Sequence, residues 1–131
     1  MKYKKGYKYQ LVEDEVINLP GWFMEETGGI ETDFITINDV CLVIKKGYAW
    51  DGASGIPDIA NQRASAGHDA FYQMFRLGLL SKDKYKAKSD ALFMAMCIEE
   101  GTPFLVAQLY YTVLEKFGDR AASKRRKIYE C

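Results

Sequence analysis

A chain of 131 residues that is 48% apolar and 14% aromatic has the material for one ordinary folded domain, with no need of metals or disulfides to staple its core. Eighteen Lys and Arg against eighteen Asp and Glu give no net charge, which argues against binding duplex nucleic acid through its phosphate backbone. Three widely spaced cysteines (Cys41, Cys97, Cys131) and one histidine argue against structural zinc and a disulfide framework, and with no long apolar run or signal-peptide pattern a cytosolic location is expected.

In chain order, residues 7–44 tend to alternate apolar and polar positions and favour β-branched and aromatic types, the pattern of strands. Residues 7–12 and 15–19 form the first two. After Gly28-Gly29, residues 32–37 and 40–44 flank Asn38-Asp39, a dipeptide that tolerates the positive φ of a tight hairpin. Gly47, Gly52, Gly55 and Pro57 then punctuate an irregular loop.

Beyond it the apolar spacing becomes helical. Ala64, Phe71, Phe75 and Leu79 lie near one face of a helix over residues 62–77, with Gly78 as its stop. A second helix spans residues 82–100, with Ser81 as N-cap, Asp83 in the first turn and Gly101 as its end. The third has Thr102 as N-cap and Pro103 at N1, and runs to Phe117, where Gly118 ends it. Phe71, Phe75, Phe93, Phe104, Tyr110 and Phe117 read as core, with Met74, Met94 and Met96 as fillers.

The expected fold is α+β: N-terminal antiparallel β-hairpins followed by a bundle of three helices. Residues 1–131 form a single domain, with a β-rich half at 1–50, a helical half at 62–118 and a basic tail at 119–131. The Lys-Arg-Arg-Lys run at 124–127 and the basic first eight residues read as solvated termini.

The loop and the first helix gather the chemistry-bearing residues. Trp50, Asp51 and Ser54 lie in or beside the loop, His68 and Asp69 follow on the helix, and Asp90 reaches the group if the first two helices pack antiparallel. On a helix His68 and Tyr72 share a face, while Asp69 points about 100° away. Because an imidazole is the readiest acid or base near neutral pH, proton transfer falls to His68, with Asp51 or Asp69 as its orienting carboxylate. Ser54 is a nucleophile or a substrate hydrogen-bond donor, although no Gly-x-Ser-x-Gly elbow surrounds it. Tyr72, Trp50 and Asp90 complete the substrate-binding set.

Each of these residues also has a plain structural reading. His68 can be a satisfied histidine tying loop to helix, and Asp51 and Ser54 can satisfy turn backbone. A single histidine rules out a multi-histidine metal centre, whereas Asp51, Asp69 and Asp90 could hold a divalent cation such as magnesium or manganese. Tyr48, Trp50, Phe71 and Tyr72 could instead stack on a ring-containing ligand.

Three ordered motifs carry a family resemblance: residues 47–57 (Gly-Tyr-Ala-Trp-Asp-Gly-Ala-Ser-Gly-Ile-Pro), residues 65–72 (Ser-Ala-Gly-His-Asp-Ala-Phe-Tyr) and residues 89–93 (Ser-Asp-Ala-Leu-Phe). Over residues 30–118 the chain resembles a family of small bacteriophage and prophage proteins catalogued as a domain of unknown function. That family has an Asp-x-x-Ser-x-Pro-type loop, a His-Asp-x-x-Tyr helix, an Ala-Asp pair opening the next helix and a helix ending in Phe-Gly. Here the loop carries one extra residue before Pro57, and Ser89 replaces the alanine before Asp90. The resemblance implies a phage origin and a site at Asp51, Ser54, His68, Asp69, Tyr72 and Asp90, and supplies no reaction.

Together these readings point to a phage-encoded small hydrolase in which His68, Asp69 and Asp51 are catalytic, acting on a cell-wall bond or a phosphodiester or nucleotide. The alternative is a non-enzymatic phage protein, either a small-ligand module that sequesters a host signal or a virion or host-interaction component. The expected location is the cytoplasm of the infected host or the virion. Oligomeric state is not legible.

Overall fold

The structure, a computed structural model, describes residues 3–4, 9–25, 29–50 and 62–123. The fold class is α+β, with antiparallel strands in the N-terminal half followed by three helices. Contacts group into two compact units, Met1–Asp51 and Gly52–Cys131.

The first unit holds two sheets. One has the order β1 (Tyr3–Lys4), β2 (Tyr9–Leu11), β7 (Ala49–Trp50); the other runs β3 (Glu15–Asn18), β6 (Cys41–Ile44), β5 (Ile35–Ile37), β4 (Ile30–Glu31). All pairings are antiparallel, with Ile37 opposite Leu42 and Ile17 in line beside them. Strand period two therefore sends Ile17, Ile35, Ile37, Leu42 and Ile44 to one buried face, while Val16, Thr36 and Val43 occupy the other.

The expected hairpin at Asn38-Asp39 is present, and its closing device is a side chain. Asn38 Oδ1 accepts the backbone N–H groups of Val40 and Cys41, each at 2.9 Å. The expected strand over 32–37 is shorter, because Thr32 closes a turn. Its hydroxyl both accepts from Ile35 N and donates to Ile35 O, and β4 pairs back on β5. Ala49–Trp50, expected within the irregular loop, is instead a strand paired with β2. Tyr9 sits opposite Trp50 with their rings 5.6 Å apart.

The second unit contains α1 (Gln62–Arg76), α2 (Lys82–Glu99) and α3 (Phe104–Ala122). Gly78 and Gly101 stop α1 and α2 as expected, both by the same Schellman geometry. Each adopts positive φ, 73° and 102°, so that Gly78 N donates to Phe75 O and Leu79 N to Met74 O, and Gly101 N to Ile98 O and Thr102 N to Cys97 O. Ser81 caps α2 by accepting from Lys84 N. In α3 the first helical bond is Ala107 N to Pro103 O, which moves the N-cap from the expected Thr102 to Pro103 and leaves Phe104, not Pro103, at N1.

Phe71 and Phe75 of α1, Tyr85, Leu92, Phe93 and Met96 of α2, and Ala107 and Leu114 of α3 make the core. Ala64, Ala66 and Ala70 are wholly buried on α1, where small side chains allow close helix approach.

Three expectations about this unit fail. Leu79 and Phe104 are exposed, because Leu79 lies beyond the end of α1 and Phe104 on the first, uncovered turn of α3. Gly118 does not end α3, which continues to Ala122, so residues 119–122 of the expected tail are helical. Residues 124–131 lie outside the described residues.

Candidate functional site

Two pairs of side chains, each four residues apart on a helix and therefore on one face, meet inside the second unit. His68 and Tyr72 project from α1, with ring centroids 4.1 Å apart, and Lys86 and Asp90 project from α2. Asp90 is the centre. Its Oδ1 pairs with His68 Nε2 at 2.7 Å and accepts the Tyr72 hydroxyl at 2.7 Å, while Oδ2 accepts from Lys86 Nζ at 2.9 Å. Lys86 also donates to the Leu114 carbonyl of α3 at 3.1 Å, so one ammonium joins two helices. The Ser89 hydroxyl donates to Lys86 O one turn back.

His68 is 4% exposed and Asp90 1%, so charge matters here far more than at a surface. Phe93 meets the imidazole edge-on at 5.2 Å, and Tyr72 covers another side of it. Burial pulls the His68 pKa below its usual value, more strongly than the Asp90 carboxylate raises it. Burial alone would push Asp90 up, but hydrogen bonds from His68, Lys86 and Tyr72 outweigh that and hold it below the usual carboxylate range. The Tyr72 phenol, buried and facing that anion, is pushed far up and stays protonated.

The group is therefore a buried Lys⁺–Asp⁻ pair with a neutral imidazole and a neutral phenol. An ionised carboxylate can only accept, so Nε2 carries the imidazole proton. Nδ1 then keeps the lone pair. This is the arrangement by which a carboxylate fixes the tautomer and orientation of a histidine base.

The third helix closes on this group at Gly118. A Cβ built there would lie 2.4 Å from the Tyr72 hydroxyl oxygen and 3.3 Å from Cζ. Glycine in mid-helix costs stability relative to alanine, and close approach of the tyrosine explains its presence.

Of the residues singled out in the sequence, His68, Tyr72 and Asp90 come together. Asp69 is half-buried, one residue further round α1. Asp51 and Ser54 lie outside the described residues. Trp50 belongs to the first unit, where it is 1% exposed and stacks on Tyr9 and Tyr48 (6.4 Å between the latter rings). A buried ring of this kind offers core packing rather than an open stacking face. Lys86, Phe93 and Gly118 were missed as parts of this group, although Lys86 and Asp90 stand at the i,i+4 spacing that signals a helical ion pair.

Asp90 has both oxygens engaged by protic donors, one of them an ammonium where a cation ligand would need open lone pairs. Among the described residues no three His, Cys, Asp or Glu side chains are grouped to hold a metal ion. No helix is long and apolar enough to cross a membrane among the described residues. Comparison with family models, with curated proteins and with solved structures gives no match for this chain.

Proposed function

We propose that this chain is a small bacteriophage hydrolase in which His68 transfers the proton and Asp90 orients it. The observation that carries this reading is the 2.7 Å contact between His68 Nε2 and a buried, ionised carboxylate, which leaves Nδ1 as the basic atom. Tyr72, fixed on the same oxygen, supports that geometry. The bonds to try are those hydrolysed by activating water with a neutral imidazole: a phosphodiester or nucleotide, or a cell-wall linkage. The cytoplasm of an infected bacterium, or the virion, is where it would act.

The test is hydrolysis of nucleotides, oligonucleotides and purified peptidoglycan by the wild-type chain and by His68→Gln. The glutamine amide can still donate to Asp90 and so preserve the fold, but it has no basic nitrogen. Turnover by the wild type that vanishes in a folded His68→Gln supports the reading. Equal turnover by the two sinks it.

A specific feature favours a second reading, a virion or host-interaction component without turnover. Phe104, Leu105, Val106 and Leu109 are exposed next to one another along the first turns of α3, and clustered exposed apolar side chains are a feature of interaction surfaces. On that reading the His68–Asp90 group is scaffolding. Wild-type inactivity on every substrate, together with loss of a copurifying partner on Leu105→Glu, would favour it.

A further inference from the structure

We propose that Lys86 is a positioning residue that keeps His68 a neutral, singly protonated imidazole by holding one oxygen of Asp90 with a fixed cation. The inference deepens the role given to His68 above and rests on that reading for its consequence in catalysis, though not for its physical content.

One buried carboxylate balances one buried cation. Asp90 offers two oxygens, and the pair Oδ1 and Oδ2 is divided between helices: His68 and Tyr72 of α1 on the first, Lys86 of α2 on the second. An isolated Asp–His contact in a site this dry would raise the proton affinity of the imidazole, against the burial that lowers it, because the anion would have no other compensation. With Lys86 Nζ at 2.9 Å the anion is already balanced, and a second cation at 2.7 Å on the other oxygen would leave the buried group with excess positive charge.

Lys86 is suited to hold this place. Its side chain is only 13% exposed, its ammonium is anchored on the Leu114 carbonyl at 3.1 Å, and it lies 5.9 Å from the centre of the Tyr72 ring. The other charged or titratable groups around His68 do not replace it. Among the described residues these are, on α1, Tyr72, which stays neutral, and the neighbouring Asp69; on α2, Asp90; and on α3, Asp119, which acts on Tyr72 and is engaged by Lys82 at 2.9 Å. Asp90 favours the imidazolium, and among the described residues Lys86 is the cation that opposes it.

His68 is the chain's sole histidine, so its titration can be followed without assignment ambiguity. The experiment is NMR titration of the imidazole in the wild type, Lys86→Met and Lys86→Arg, with each fold checked by amide dispersion. Lys86→Met should bind the imidazole proton roughly tenfold more tightly, and Lys86→Arg should stay near the wild type. An unchanged or weakened proton affinity in a folded Lys86→Met overturns the proposal.

Should Lys86→Met not fold, long-range proton–nitrogen spectra of the wild type decide the matter. A neutral imidazole protonated at Nε2 at pH 7 supports the proposal, and a doubly protonated ring at that pH overturns it. These readouts are independent of turnover. An inactive wild type would remove the hydrolase reading and leave this one standing, whereas an active enzyme with an unmoved Lys86→Met titration would do the reverse.

Discussion

Replacing Gly118 with alanine should destabilise the helical unit, although alanine is the better helix former. On propensity alone the change would stabilise α3 by about 1 kcal/mol. The new Cβ would instead lie 2.4 Å from the Tyr72 hydroxyl oxygen, about 1 Å inside a close C···O contact of roughly 3.3–3.6 Å. Tyr72 cannot swing away freely, because it is 3% exposed and its hydroxyl donates to Asp90 at 2.7 Å. Either α3 moves out, at an overpacking cost of about 1–3 kcal/mol, or the phenol–carboxylate bond breaks, at about 1.5–3 kcal/mol. Subtracting the propensity gain of about 1 kcal/mol leaves a net loss of up to about 2 kcal/mol, to be read from urea unfolding followed by far-UV circular dichroism. In a Tyr72→Phe background the offending oxygen is gone and the nearest contact becomes the ring carbon at 3.3 Å, so the same substitution should cost at least about 1 kcal/mol less. A Gly118→Ala chain that is more stable than the wild type, by the same amount in both backgrounds, would refute the close packing of α3 on Tyr72.

Three further outcomes concern buried groups of the helical unit. Asp90→Ala leaves the Lys86 ammonium and two protic donors buried without their anion and should cost about 3–5 kcal/mol in urea unfolding, part of which Lys86→Met should restore in the double variant. Stability should fall on acidification. The folded His68 pKa lies below its unfolded value of 6.5, so its contribution is complete above that pH and is lost below it. Asp90, also depressed, loses its contribution further down, below its unfolded value of 3.8. Glu100, raised by burial, works in the opposite sense, its contribution being lost as pH rises; His68→Gln removes only the imidazole, so its urea midpoints should depend less on pH below 6.5 than those of the wild type. The Cys97 thiol, pushed up by burial to about 12, should resist alkylation at neutral pH until denaturant is added, as mass spectrometry of labelled peptides can show.

The strands and helices were legible where side-chain period and punctuation agree. Ile35, Ile37, Leu42 and Ile44 announce a hairpin by alternation, and Gly78 and Gly101 mark helix ends because only a residue at ease with positive φ completes a Schellman turn. Two-residue strands such as Ile30–Glu31 and Ala49–Trp50 exist by virtue of their partners and have too little sequence to show a period. Gly118 misled for a related reason. A glycine after an apolar run reads as a stop, but here the reason for it stands on another helix, in the Tyr72 hydroxyl.

The candidate site was half legible, and the missing half could have been reached by asking about charge balance. His68, Tyr72 and Asp90 stand out by residue type, yet choosing Asp90 as the partner of His68 requires knowing which face α2 turns to α1. Lys86 was hidden in an alternating run with Lys82, Lys84 and Lys88, which reads as a solvated face. A carboxylate placed in a helical core must find a cation, however, and the cation most easily supplied by its own helix is one turn away. Position i−4 from Asp90 is Lys86, whereas Lys84 and Lys88 are six and two residues away and point elsewhere on the helix. Supposing Asp90 buried, as its approach to His68 required, was therefore enough to single out Lys86 from its neighbours.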